Sequence, residues 1–312
     1  DKIVVDEPSI VAMDRTTGRI IAVGKKAMMM HGKTHENIKT IRPLSDGVIA
    51  DFQAAEAMIR EMILMIDKKR PLFPPALKMV ICIPSGITEV EERAVKDSAE
   101  QAGAKQVKLI HEPMAAAIGI GIDVLEPTGN MVIDIGGGTS EIAVIALGGI
   151  VCNKSIRIAG IELNGDIEEY MRKQHNILIG ERTAERIKIE VGAALPEIDN
   201  APEDMAVQGR DLLTGLLKEI TVNYAEIAHA LDKSLIKIEQ AVLNAIEMTP
   251  PELASDLHKR GIHLAGGGAL LRGLDKRIAM KTKLPVHIAE DPLHAVARGT
   301  GIALKNFDKF TF

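Results

Sequence analysis

The sequence predicts an α/β fold, and three stretches of the chain indicate it. The first stretch has an apolar strand at 79–83, a helix, and a second apolar strand at 107–110, which is the spacing of a parallel βαβ unit. The other two are glycine-rich turns that follow short apolar runs at 131–133 and 262–265. With 312 residues, the chain is long enough for one large domain or two lobes.

The composition is that of an ordinary soluble globular protein, with 46% hydrophobic and 26% charged residues. A net charge of −5 and an aromatic content of 2%, without Trp, argue against a nucleic-acid partner. Cys82 and Cys152 lie in apolar runs without metal-ligand spacing, which favours a reducing compartment. No apolar run reaches transmembrane length, and no signal peptide is visible. The chain starts abruptly in strand-like sequence, so we expect further sequence before Asp1.

Periodicity and capping signals predict the individual elements. Residues 1–30 are expected to form short strands, and 31–50 to be polar and rich in turns. Asp51 and a capping box of Thr88 and Glu91 mark the starts of two helices. In the second half we expect helices at 165–175, 184–191, 224–247 and 292–304, strands at 142–147, 262–265 and 285–288, and short strands over 200–223 with turns at Gly209 and Gly215.

Residues 134–141 form the first glycine turn and read Asp-Ile-Gly-Gly-Gly-Thr-Ser-Glu between two apolar strands. Glycines allow backbone N–H groups to approach an anion and to adopt positive φ. Consecutive N–H groups in such a turn form a nest that binds phosphate. Asp134 is placed to hold a hydrated cation beside that phosphate. The alternative is a glycine-rich hairpin turn with a capping Asp.

Two further features also indicate a site for a phosphate ligand: a second glycine turn, and a carboxylate at a strand-to-helix junction. Gly266-Gly267-Gly268 follows the strand at 262–265 and precedes an expected helix, which suits the approach of a nucleotide to the backbone. Glu112 follows the strand at 107–110, and the ends of such strands form the ligand-binding edge of open α/β sheets. An ordinary helix N-cap is the alternative for Glu112. The chain has neither a P-loop nor a G-x-G-x-x-G fingerprint, which disfavours a Rossmann dehydrogenase.

Six segments, in order along the chain, resemble a known family. They are 42–52, 112–119, 134–139, 180–188, 249–253 and 266–275. Together they resemble the actin-like ATPase superfamily, and most closely the MreB family of bacterial actin homologues. The set covers nearly the whole chain and is specific, whereas any one segment alone is not.

The resemblance implies an actin-like, two-lobed ATPase fold. Each lobe would contain a mixed sheet of the five-stranded type, flanking helices and a smaller inserted subdomain. The first lobe would comprise 1–126 and 286–312, with an insert near 11–50. The second would comprise 127–285, with an insert near 161–240. ATP or ADP with Mg²⁺ would lie in the cleft between the lobes.

The resemblance also implies a role for each site residue. Glu112 would polarise the attacking water, Asp134 would hold the metal through water, and Thr139 would complete the catalytic set. The nucleotide would be bound by three groups: Gly136, Gly137 and Gly138, with Thr139, at the β- and γ-phosphates; Glu185, Arg186, Ile187 and Lys188 around adenosine; and Gly266, Gly267, Gly268 and Ala269 at the α-phosphate and sugar. Slow ATP hydrolysis coupled to polymerisation would follow, because phosphoryl transfer needs mainly positioning and charge neutralisation.

Three departures from the family pattern bear on this activity. The family's first phosphate loop, an Asp-x-Gly-Thr hairpin near the N-terminus, is absent, and we expect the chain to be N-terminally truncated. Residues 160–165 replace the more usual Gly-Asp-x-Met-Asp pattern. His111 stands where the family often has an acidic residue.

The function implied by the resemblance is that of an ATP-dependent cytoskeletal filament protein that organises cell-wall synthesis and maintains rod cell shape. It would be cytoplasmic, at the inner face of the cell membrane, and its partners would be copies of itself in paired protofilaments, a membrane-anchored adaptor and the cell-wall elongation machinery. Leu72 and Phe73 would insert into the membrane; the alternative is a loop folded onto its own domain. Other functions in the superfamily are a monomeric chaperone-type ATPase, which needs a C-terminal substrate-binding domain, and a small-molecule kinase, which needs a polar acceptor pocket.

Overall fold

The computed structural model describes residues 2–45, 47–66 and 77–307, and the chain divides into two compact units. Residues 1–115 and 297–312 form the first unit, and residues 116–296 form the second. Compared with the expected lobes, 116–126 and 286–296 belong to the second unit. Leu72 and Phe73 lie outside the described residues. No helix in the described part of the chain combines the length and the apolar character needed to cross a membrane.

The first unit is built from short strands and helices. In chain order they are β1 Val11–Asp14, β2 Ile20–Val23, α1 Lys25–Met30, β3 Ile38–Ile41, β4 Leu44–Ser45, β5 Val48–Ile49, α2 Phe52–Ile66, β6 Leu77–Ile83, α3 Glu89–Gln101, β7 Ala104–His111 and α4 Glu112–Gly119, which runs into the second unit. The expected parallel βαβ unit is confirmed, since β6 and β7 pair in parallel across α3. Among the described residues the strands form sheets of three, two and two members, in place of one five-stranded sheet.

The predicted helix starts in this unit are confirmed by their hydrogen bonds. The Asp51 carboxylate accepts from the N–H of Ala54 at 2.9 Å, and Thr88 and Glu91 form a reciprocal capping box. Helix α1 was not predicted, because its three consecutive methionines resemble a short strand. Gly24, at φ +67, makes the turn from β2 into this helix.

The second unit contains a larger sheet with helices around it. Its elements are β8 Asn130–Ile135, β9 Ser140–Ala146, β10 Gly149–Ile156, α5 Gly160–His175, β11 Ile177–Leu178, α6 Glu181–Val191, β12 Met205–Asp211, β13 Leu217–Val222, α7 Tyr224–Glu247, α8 Pro251–Arg260, β14 Ile262–Ala265, a 3₁₀ turn Gly267–Leu270, α9 Leu274–Thr282, β15 Val286–Ile288, a 3₁₀ turn Pro292–His294 and α10 Ala295–Lys305, which runs into the first unit. The main sheet has the order β10-β9-β8-β14-β15, in which β8, β9 and β10 are antiparallel neighbours and β14 and β15 run parallel to β8. Every residue of β8 is buried, so this central strand lies in the core of the unit.

Two element predictions in the second unit were wrong in detail, while the long helix was correct. Helix α7 spans the predicted residues 224–247 and begins with a capping box at Asn223. Helix α5 begins at Gly160, five residues before the predicted start at 165. Gly209 lies within β12 opposite Lys218, so it is not a turn, whereas Gly215, at φ +73, lies in the turn between β12 and β13.

Candidate functional site

The first glycine turn joins β8 to β9 and presents backbone donors. The N–H of Gly136 donates to the carbonyl of Thr139 at 2.9 Å and closes the turn. Among the residues that the structure describes, none accepts a hydrogen bond from the N–H groups of Gly137, Gly138 and Thr139. Three adjacent N–H groups are therefore available to an anion, which is the arrangement of a backbone nest.

The second glycine turn packs directly on the end of β8. Strand β14 pairs in parallel with β8, so that Ala265 lies beside Asp134. Gly266 has φ +78, and a Cβ there would overlap the carbonyl oxygen of Ile135 and lie 2.5 Å from Asp134 Oδ1. A Cβ at Gly268 would overlap the Ile135 side chain. Glycine is required at both positions because the backbone approaches β8 more closely than any side chain allows.

One expectation about the second glycine turn was wrong. The turn leads into the 3₁₀ turn Gly267–Leu270, and α9 begins only at Leu274, after Gly273 at φ +74. No α-helix N-terminus therefore follows the three glycines directly. The N–H groups of Gly267 and Gly268 nevertheless donate to no acceptor within residues 2–45, 47–66 and 77–307, so this turn adds two further free donors beside β8.

Asp134 lies under the two turns and is only 4% exposed. It lies directly opposite the fully buried Glu141 in the β8–β9 ladder, and Glu141 accepts a hydrogen bond from the Ser155 hydroxyl at 2.5 Å. Burial, and then the neighbouring charge of Glu141, raise the pKa of Asp134 to about 7. A cation beside Asp134 would favour its ionised form. Within the described residues no cluster of three or more His, Cys, Asp or Glu side chains could hold a metal ion, so the metal assignment rests on Asp134.

Helices α5 and α6 meet the first glycine turn. The N–H groups of Gly160 and Ile161 donate to the carbonyls of Gly136 and Gly137 at 3.1 and 2.8 Å. Lys188 Nζ donates to the Gly160 carbonyl at 2.9 Å and to Glu185 Oε2 at 2.9 Å. The charged face of α6 is thus joined to the glycine turn through backbone of α5.

The structure brings together the predicted residues of the second unit. Asp134, both glycine turns and the pair of Glu185 and Lys188 form one connected region, in which Arg186 is exposed and Ile187 is fully buried. Glu112 belongs to the first unit, where it is the half-buried first residue of α4. Asn164 was missed because α5 was predicted to begin after it. The buried residues Leu163, Ile167 and Met171, at four-residue spacing, were the signal for the earlier start.

The residues present fit the phosphates of a nucleotide. Five backbone N–H groups without acceptors in the described structure, on two turns where glycine permits close approach, are suited to phosphate oxygens. One buried carboxylate beside them is the kind of ligand that Mg²⁺ takes together with phosphates and water.

Comparison with known proteins places these features in a family. A family model described as MreB/Mbl protein matches residues 1–311. Cell shape-determining protein Mbl of Bacillus subtilis is 48% identical over 307 residues, covering 98% of this chain and 91% of that protein. Cell shape-determining protein MreB of Escherichia coli is 48% identical over 310 residues, covering 98% and 88%. The structure is similar to crystal structures of MreB5 of Spiroplasma citri bound to AMPPNP and to ADP, with a TM-score of 0.91, 40% identity, and coverage of 98% of this chain and 91% of that chain.

Proposed function

The chain belongs to the MreB/Mbl family, and from that premise we propose that it is a nucleotide-dependent cytoskeletal protein that assembles into filaments and determines cell shape. Its relatives from Bacillus subtilis and Escherichia coli are cell shape-determining proteins. The observation that carries the nucleotide part is the pair of glycine turns at Asp134, with five free N–H groups among the described residues.

The ligand of this region is ATP or ADP with Mg²⁺. The crystal structures of Spiroplasma citri MreB5 contain AMPPNP and ADP, which supports an adenine nucleotide. Gly137, Gly138 and Thr139 donate their N–H groups to phosphate oxygens. Asp134 would hold Mg²⁺ through its water ligands, and the ion would supply positive charge to neutralise the phosphates. Residues 185–188 and 266–269 contact the nucleoside and the α-phosphate.

Hydrolysis of ATP is the second part of the proposal. Glu112 lies at the junction of β7 and α4, where a carboxylate is held by main-chain structure on both sides. Its role is to orient and polarise the attacking water. We expect slow turnover of ATP, because hydrolysis would time the changes of the polymer and fast catalysis is not needed for that.

Self-assembly is supported by an exposed apolar surface in the second unit. The turn between β12 and β13, together with the first residue of β13, carries four leucines that we call the leucine tip. They are Leu212, Leu213, Leu216 and Leu217, exposed by 45, 85, 70 and 74%. The tip is preorganised, because the Asp211 carboxylate accepts from the N–H groups of Leu213 and Thr214 at 2.9 and 2.8 Å. Each leucine would gain roughly 1.5–3 kcal/mol on full burial.

The partner of the leucine tip is a second copy of the chain. The tip adjoins the C-terminus of α5, which contacts the N-terminal turn of α7 through His175 and Glu226. Near the C-terminus of α7 lies a second exposed apolar group, the distal patch, formed by Leu125, Leu147, Val151 and Met248. The 24 residues of α7 extend over about 36 Å between these surfaces. Two different exposed apolar surfaces, one near each end of α7, favour head-to-tail contacts, which form open filaments.

Sedimentation with ATP and Mg²⁺ tests the proposal. The wild-type chain is expected to pellet with nucleotide and to remain in the supernatant with EDTA. A double variant, Leu213→Asp with Leu217→Asp, is expected to stay soluble. Met280→Asp is the matched control, since Met280 is 54% exposed on α9 and belongs to neither surface. A wild-type chain that stays monomeric at every concentration would contradict the proposal, and pelleting of the double variant would remove the leucine tip from it.

Membership of the same family also supports a proposal for the cellular setting. The filament lies in the cytoplasm at the inner face of the cell membrane, as paired protofilaments, and works with a membrane-anchored adaptor and the cell-wall elongation machinery. Leu72 and Phe73 provide apolar side chains for membrane contact. Liposome co-sedimentation of wild type against Leu72→Ser with Phe73→Ser tests this contact, and equal lipid binding by both proteins would defeat it.

A further inference from the structure

Helix α5 begins without a side-chain cap, and its first N–H groups are bonded to the first glycine turn. The first N–H groups of a helix have no acceptor within the helix itself. Ala159 occupies the N-cap position of α5 and makes no side-chain hydrogen bond. The N–H groups of Gly160 and Ile161 donate instead to the carbonyls of Gly136 and Gly137, at 3.1 and 2.8 Å. The glycine turn therefore supplies acceptors that a capping side chain would otherwise provide.

These two hydrogen bonds fix the direction of the proposed phosphate donors. A trans peptide unit is planar, so its C=O and N–H bonds point in opposite directions, and both units here are trans. The carbonyl of Gly136 shares one unit with the N–H of Gly137, and the carbonyl of Gly137 shares the next with the N–H of Gly138. The bond inside the turn, from the N–H of Gly136 to the Thr139 carbonyl, involves neither unit. Because α5 holds both carbonyls, it directs both N–H groups away from its own N-terminus.

Helix α5 also strengthens these donors and gives them a rigid support. Its peptide dipoles sum to a partial positive charge at its N-terminus, and hydrogen bonds in a chain polarise one another. Each bond from α5 to a carbonyl of the turn therefore makes the N–H of the same peptide unit a better donor to an anion. Leu163, Ile167 and Met171 anchor α5 in the core of the second unit, since each is at most 2% exposed.

We propose that Gly160 and Ile161 are positioning residues, whose main-chain N–H groups orient and polarise the phosphate donors of Gly137 and Gly138. They act through the peptide units of the turn. A turn that is held in its binding conformation before the ligand arrives loses less conformational entropy on binding. The inference rests on the proposed nucleotide function and adds to it the element that aims the phosphate donors.

The experiment removes one N–H group of α5. Ile161 is varied because a Cβ at Gly160 would lie 3.3 Å from the Gly136 carbonyl oxygen and would disturb the turn directly. Ile161→Pro removes the donor to Gly137, and proline is tolerated in the first turn of a helix. Ile161→Ala keeps this N–H and shortens the same side chain. Glu162→Pro is the matched control, because the N–H of Glu162 in the same turn has no acceptor among the described residues.

The affinities for ATP, ADP and AMP are compared by displacement of a fluorescent ADP analogue from the full chain, with Mg²⁺ and at a protein concentration below assembly. Wild type is expected to bind ATP and ADP more tightly than AMP, which lacks the β- and γ-phosphates. Ile161→Pro is expected to bind ATP and ADP about tenfold less tightly, which corresponds to about 1.4 kcal/mol, and to bind AMP nearly as wild type does. Ile161→Ala and Glu162→Pro are expected to keep the wild-type ratio of ATP to AMP affinity.

The ratio of ATP to AMP affinity separates this inference from the function on which it rests. If wild type prefers ATP and Ile161→Pro keeps that preference, the positioning role is overturned and the nucleotide site stands. The same conclusion follows if Ile161→Ala or Glu162→Pro loses the preference as fully as Ile161→Pro does. If wild type binds ATP no more tightly than AMP, the proposed phosphate site is wrong, and the inference fails with it.

Thermal melting of each ligand-free variant shows whether the fold is kept. Should Ile161→Pro unfold, the peptide N–H of Ile161 is replaced with an ester oxygen, which removes the donor without adding a ring to the helix. The same replacement at Glu162 is its control. An unchanged ratio of ATP to AMP affinity in the ester at Ile161 would overturn the positioning role.

Discussion

Replacing Asp134 with Asn is expected to stabilise the ligand-free protein and to lower its affinity for nucleotide in the presence of Mg²⁺. Burial beside Glu141 raises the pKa of Asp134 from 3.8 to about 7. In the unfolded chain this carboxyl loses its proton near pH 3.8, whereas in the folded protein it keeps the proton until about pH 7. Between these values the folded state binds more protons, so this group makes stability fall as pH rises.

The magnitude follows from the same pKa. The loss of stability amounts to about 1.4 kcal/mol per pH unit and reaches about 4 kcal/mol above pH 7. Asn carries no charge, so its variant lacks this contribution. The difference in the free energy of unfolding between Asp134→Asn and wild type should therefore grow between pH 4 and pH 7 and be constant above about pH 7.

Urea unfolding at pH 5, 6, 7 and 8, followed by circular dichroism in EDTA without nucleotide, measures this difference. Asp97→Asn is the control, because Asp97 is exposed on α3. The control should follow the wild-type pH dependence. A difference between Asp134→Asn and wild type that does not change with pH would refute the reasoning. Unchanged Mg²⁺-dependent ATP affinity in Asp134→Asn would remove Asp134 from the metal site.

Three further predictions concern single contacts. The variant Gly266→Ala should be less stable than wild type by more than about 2 kcal/mol, because the residue has φ +78 and an added Cβ would overlap backbone atoms. Its control, Gly165→Ala, adds a Cβ in open space on α5 and should be more stable by about 0.5–1 kcal/mol. Urea unfolding measures both changes, and equal effects would contradict the close approach of the second glycine turn to β8. Glu112→Ala should slow phosphate release at least about tenfold with ATP still bound, and an unchanged rate would exclude Glu112 from hydrolysis. Asn223→Ala should cost about 1 kcal/mol through loss of the α7 cap, and an unchanged melting temperature would argue against that contribution.

The elements that sequence predicts well are those whose signals are local. Helix α7 has a cap at Asn223, a continuous apolar periodicity and a proline pair after its end, and its limits matched the prediction. The start of α5 was missed because Gly160 offers no capping side chain, and that start is fixed by hydrogen bonds to the distant carbonyls of Gly136 and Gly137. Gly209 resembled a turn, but cross-strand pairing of β12 with β13 overrides this local preference.

In the candidate site, too, some features have a local sequence signal and others depend on distant contacts. The glycines and Asp134 were identified from sequence because each turn is contiguous. The pairing of Asp134 with Glu141 depends on the register of β8 and β9, and the contact of Asn164 with Glu185 joins two helices, so neither contact has a local signal. The 3₁₀ turn after Gly266 depends on how closely this segment packs against Ile135, which sequence alone does not give.

The phosphate donors that we propose at Gly137, Gly138 and Thr139 belong to the main chain, and this affects how the proposed site would respond to mutation. Alanine scanning of side chains would leave every one of these donors in place and would report the proposed phosphate contacts as silent. Substitutions that reveal them must add atoms, as Gly138→Val would, or remove an N–H, as proline would. A side-chain substitution at this turn would therefore leave the N–H groups that we propose for the phosphates in place.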